Sequence, residues 1–149
     1  MPSHPSLRDI LGLSARAILA QLVLGAPFGL VDFTTVLAKT GQPALAWAVA
    51  IAFGCYRAIG LPLVVGGALI GVSERSGRLW AVLVAGLPTA MVAGSYLPQI
   101  LSPAKGSFSV GRTFGGILAL WLLGTLVGMV GYGLGRIYRQ ARSRKQVDS

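Results

Sequence analysis

Between Leu79 and Leu101 the chain runs for 23 residues without a single charged side chain. At 1.5 Å per residue, a helix of that length reaches about 34 Å, enough to cross a hydrocarbon core roughly 30 Å thick. Backbone in hydrocarbon must find every hydrogen-bond partner within the protein, which leaves helices and closed barrels. No stretch alternates polar and apolar residues as a barrel strand does, so helices are expected.

Three further apolar stretches complete the pattern. Residues 17–37 are interrupted only by Gln21, Asp32, Thr34 and Thr35, residues 45–72 by Arg57 and Pro62, and residues 114–134 form the last. The chain is 54% hydrophobic and 11% charged, against about 25% charged in a soluble domain. A soluble fold of 149 residues has too small an interior to hide that surface. The expected fold is therefore an all-α integral membrane four-helix bundle, one domain over residues 1–149. The second stretch is long for one span and is expected to tilt or kink at Pro62. The first exceeds the 7–15 apolar residues of a signal peptide, so it reads as a retained span, not as a leader cleaved near Ala44-Leu45-Ala46.

The net charge of +9 comes from basic residues gathered at span ends, as membrane topology requires and nucleic-acid binding does not. One side collects Arg8, Arg16, Arg75, Arg78 and the tail Arg136, Arg139, Arg142, Arg144 and Lys145; the other collects Lys39, Lys105 and Arg112. That bias places both termini in the cytoplasm, with a prokaryotic plasma membrane as the expected location. The tail reads first as an anchor touching anionic headgroups and second as a contact for an acidic partner.

A shift of about 61 residues brings the two halves into partial register. Leu22-Val23-Leu24-Gly25-Ala26-Pro27 falls on Leu83-Val84-Ala85-Gly86-Leu87-Pro88, and Arg75 and Arg78 fall on Arg136 and Arg139. This reads as two tandem helical hairpins in a parallel repeat, residues 13–78 and 74–139. Pro27 and Pro88 each remove a backbone hydrogen bond inside a span, giving a packing kink or a flexible point.

Asp32 and Arg57 are the charges inside apolar stretches. A lone charge near the bilayer centre costs about 3 kcal/mol on insertion scales, so each is expected to face the protein interior, a wet cavity or a partner subunit. Arginine's long side chain can cover the gap to Asp32 if the first two spans pack together. The repeat places Ala93 and Leu118 at their counterparts, so both charges are missing together there. The readings are a structural ion pair fixing helix register, a pathway or ligand site, and an intersubunit contact.

Small residues four apart, Gly67 and Gly71 in the second stretch and Gly124, Gly128, Gly131 and Gly135 at the fourth, make smooth faces for close helix packing within the monomer or between subunits. Catalytic chemistry is thinly represented. Cys55 and His4 are alone of their kinds, and Asp9, Glu74 and Asp148 lie in terminal or loop segments. No disulfide, histidine metal site, paired carboxylate, nucleophilic triad or phosphate loop can be assembled. The sequence thus points to a non-enzyme without cofactors. The first expectation is an accessory or structural subunit of a larger membrane complex, with lipid and other membrane subunits as partners. The alternative is an oligomeric small transporter or channel using the Asp32/Arg57 region.

Overall fold

The computed structural model describes residues 5–73, 77–101 and 110–147. His4, Glu74, Arg75, Lys105, Asp148 and the side chain of Lys145 lie outside the described residues. Those described form helices and the turns between them: α1 Leu7–Thr40, α2 Pro43–Arg57, α3 Leu61–Val72, α4 Arg78–Leu101 and α5 Val110–Val147. Helices α1, α4 and α5 are long and apolar enough to cross a membrane, and α2 with α3 adds a fourth crossing if the bent pair is one span. Large apolar side chains such as Val31, Leu126 and Val130 face outward. A soluble monomer does not expose so much contiguous apolar surface, whereas lipid accepts it.

Local chemistry sets the helix ends. Ser6 caps α1, accepting from the Asp9 backbone N–H at 3.2 Å and donating its hydroxyl to the Asp9 carboxylate at 2.7 Å. Gly41 ends α1 at φ 65°, its N–H bonding to the Leu37 carbonyl, a backbone conformation that favours glycine. Pro43 then opens α2, where its missing N–H costs nothing.

The second apolar stretch does not kink at Pro62. It breaks earlier, across Ala58, Ile59 and Gly60, and its two halves are bent by 81°. Pro62 lies in the first turn of α3, where no intrahelical donor is needed. Gly60 takes φ 70° and Ile59 takes φ 55°. The bend divides the stretch between two partners: α2 packs chiefly on α1, and α3 on α5. The two halves of the chain are therefore interlocked. Pro27 and Pro88 lie inside the continuous helices α1 and α4.

Two buried clusters mark opposite ends of the bundle. Leu13, Ala17, Ile70, Ala81, Val82 and Ala85 gather the start of α1, the end of α3 and the start of α4. Val36, Ala46 and Val49 gather the end of α1 and the start of α2. There Phe33 packs on Trp47 with ring centroids 4.5 Å apart.

Glycine lets the backbones meet. On the α3–α5 seam, a methyl group added at Gly67 would strike the Gly128 carbonyl, one at Gly71 the Tyr132 carbonyl, one at Gly131 the Val64 carbonyl, and one at Gly135 the Ala68 carbonyl. A second seam joins α1 to α2 through Gly25, Gly29 and Gly54, where a methyl at Gly54 would strike the Gly25 carbonyl and one at Gly29 would lie 2.7 Å from the Ala50 carbonyl. A backbone carbonyl cannot move aside as a side chain can, so overpacking here separates helices. Gly131→Val should destabilise the protein by about 1–3 kcal/mol. Gly133→Ala, where nothing lies within 4 Å, should leave the thermal unfolding midpoint in detergent unchanged. Equal midpoints for the two variants would contradict the seam.

Candidate functional site

Asp32 lies on α1 and Arg57 in the last turn of α2, and their side chains meet with Nη1 to Oδ1 at 3.0 Å. The helices run antiparallel, and a helical side chain leans toward its own helix's N-terminus. Asp32 therefore leans toward the centre of the bundle and Arg57 away from it, so the two approach each other. The glycine seam holds the backbones close enough for the pair to form. Arg57 also gains from its place at the helix C-terminus, where the dipole favours a cation.

The pair is not sealed in the core. The Arg57 side chain is 52% exposed and that of Asp32 23%. Both line a cavity of about 500 Å³ between α1, α2 and α4. Asp32, Thr35, Val36 and Lys39 form one face of α1 at helical spacing. Val49, Phe53, Tyr56 and Arg57 do the same on α2, and Tyr96, Gln99 and Ile100 on α4. The lining combines an apolar wall with hydroxyl, amide and charged groups, as small-molecule sites do. One acid, Asp32, faces two bases, Arg57 and Lys39, so these charges sum to +1.

The floor of the site is fixed by polar contacts. The Tyr56 hydroxyl donates to the Leu120 carbonyl at 2.8 Å, tying the end of α2 to α5, and it passes over Gly124, where an added methyl would lie 3.0 Å from it. Deeper in the bundle, the Thr89 hydroxyl donates to the buried Gln21 side-chain oxygen at 2.9 Å, linking α4 to α1. The Cys55 thiol donates to the Gln21 carbonyl at 3.4 Å. Cys55 is thus a buried packing group, and among the described residues no cluster of three or more His, Cys, Asp or Glu could hold a metal ion.

The structure brings Asp32 and Arg57 together and places the other sequence-selected residues elsewhere. Gly67, Gly71, Gly128, Gly131 and Gly135 lie on the α3–α5 seam, and Gly124 faces Tyr56. None of Pro27, Pro62 and Pro88 lines the cavity. Arg136, Arg139 and Arg144 lie at a separate cleft, and Arg142 is exposed outside its lining. In the sequence Lys39 stands out only as a charge at a span end and Thr35 only as a polar interruption, and nothing singles out Tyr56, Tyr96 or Gln99. Their three- and four-residue spacing within each helix was the available signal. The chain matches no protein-family model, no curated protein and no solved structure among known proteins.

The ion pair is open to a direct test. Asp32→Asn and Arg57→Gln should each destabilise the protein by about 1 kcal/mol, because each leaves a partly exposed charge without its partner. The double variant should be more stable than either single one, because neither charge then lacks a partner. Strictly additive losses in a thermal-unfolding double-mutant cycle would show that the contact carries no coupling.

Proposed function

We propose that this protein is a small membrane transporter or channel, working as an oligomer, whose Asp32–Arg57 cavity recognises a small anion. One observation carries this reading: the α2–α3 break at residues 58–60 adjoins an ion pair that faces a cavity of about 500 Å³. Interrupted helices at membrane depth are tolerated where they are buried or line a cavity, and they mark substrate sites in many transporters. The surplus positive charge of Lys39 and Arg57 over Asp32 favours an anion. A few spans rarely enclose a path alone, so two or more copies would complete it. The two-hairpin repeat and the inward placement of both termini, supported by the matched prolines and the basic bias at one end, belong to the same proposal.

The accessory-subunit reading loses one of its supports. It drew on glycine faces free to receive another protein, yet Gly67, Gly71, Gly131 and Gly135 are occupied within the chain. A larger complex would have to dock on the remaining lipid-facing surface.

The test uses purified protein in liposomes with valinomycin, placed in isosmotic potassium chloride, nitrate, acetate or lactate. Anion entry then appears as swelling read by light scattering. At least one anion should enter faster than into protein-free vesicles, and Arg57→Gln should slow it at least tenfold while Arg142→Gln does not. If none of the four enters, and the chain leaves native membranes in fixed stoichiometry with other proteins, the accessory reading replaces this one.

A further inference from the structure

At the opposite end of the bundle from Lys39, α5 carries a second organised stripe. Tyr132, Arg136, Arg139, Gln140, Ser143 and Arg144 recur three and four residues apart and so share one face. Arg78, the first residue of α4, faces this stripe. The four guanidiniums of Arg78, Arg136, Arg139 and Arg144, with Gln140 and Ser143, line a cleft of about 500 Å³. Arg139 is held from below, its Nη1 donating to the Ser73 carbonyl at 3.5 Å.

The cleft does not stand alone. Arg78 and Arg136 also line an adjoining groove of about 360 Å³, whose other walls include Pro5, Leu79, Trp80 and Tyr132. Guanidinium clusters suit phosphate, which they grip with paired N–H donors. The neighbouring groove sets Trp80, Tyr132, Leu79 and Pro5 beside Arg78 and Arg136, and Trp and Tyr prefer the headgroup level of a membrane. A polar anionic head continuous with an apolar body is the chemistry of a phospholipid. Basic clefts between membrane helices are established headgroup sites in general.

The geometry points to a specific anionic phospholipid site. The phosphate is held among Arg78, Arg136, Arg139 and Arg144, and the glycerol and upper acyl chain lie along Trp80 and Tyr132. This inference is independent of the transport reading, since it uses a different end of the molecule and different residues. It also differs from a diffuse electrostatic anchor, which would count every basic residue of the tail equally. Arg142 belongs to the same tail but does not line the cleft, which supplies an internal control.

The experiment is native mass spectrometry of the full chain in mild detergent, titrated separately with phosphatidylglycerol, phosphatidylcholine and glycerol 3-phosphate. One phosphatidylglycerol per chain should be retained, at least tenfold more tightly than phosphatidylcholine. Arg136→Gln should weaken it about tenfold and Arg142→Gln by less than twofold. Trp80→Ala should weaken the lipid but not glycerol 3-phosphate. Arg144→Gln, near the exposed end of α5, should give the same direction of change without touching the packed bundle, so loss of folding in the Arg136 variant does not blunt the test. Equal losses in the Arg142 and Arg144 variants would reduce the site to overall charge. Glycerol 3-phosphate binding as tightly as the lipid would make it a soluble-anion site. Either result overturns the proposal.

Discussion

A backbone amide or carbonyl in hydrocarbon that lacks a partner costs several kcal/mol, since no water is there to replace it. Continuous helices meet this condition residue by residue, and α1, α4 and α5 are such helices. Among the described residues the helical pattern breaks inside an apolar stretch at residues 58–60. There the chain recovers what it can: the Ala58 N–H bonds to the Gly54 carbonyl at 3.1 Å, the Leu61 N–H to the Ala58 carbonyl at 3.0 Å and the Val64 N–H to the Gly60 carbonyl at 2.9 Å. The fold of the α2–α3 stretch and its division between α1 and α5 depend on that recovery.

Lipid gives helices little hydrophobic reason to associate, because acyl chains are as apolar as leucine. What holds these helices is contact at short range, and glycine permits it. The α1–α2 and α3–α5 seams bring backbone to backbone through Gly25, Gly29 and Gly54 and through Gly67, Gly71, Gly131 and Gly135. Polar links reinforce the seams: Thr89 to Gln21, Tyr56 to the Leu120 carbonyl, and the Trp121 indole N–H to the Leu83 carbonyl at 2.9 Å. Each satisfies a group that would otherwise be stranded, so each favours one arrangement of the bundle over its alternatives.

The helices α4 and α5 were legible because their signal is simple: residues 79–101 and 114–134 carry no charge, and twenty or so such residues read as a membrane helix. The charge pair was legible for a related reason, since two opposite charges in grease are each other's cheapest partner. The break at residues 58–60 was harder to see. Gly60 before Leu61-Pro62 hints at a helix start, but Ile59 at φ 55° contradicts the local preference of a β-branched residue. Its neighbour Gly60 is set against Val127, where an added methyl would lie 2.7 Å away. The cavity was legible only in pieces. Each helix shows its lining residues at helical spacing, but which faces meet depends on the α1–α2 seam. Gly25 and Gly29, four apart, are the sequence signal of that seam.

The combination at the end of α2 calls for an explanation beyond architecture. Arg57 carries the cost of a charge at membrane depth, and Ile59, 94% exposed, holds a left-handed backbone that costs an ordinary residue about 1–2 kcal/mol. These two burdens lie two residues apart, and Arg57 lines the cavity. The chain contains its own counterexample. Residues 114–134 of α5 run through an unbroken helix with no charged side chain, so a purely structural span of this kind was within reach of the same composition. An unbroken helix like α5 in place of α2 and α3 would lack Arg57 as a wall of the cavity shared with Asp32 and Tyr56. Strain and charge held at adjoining positions are the feature on which the proposed anion site rests.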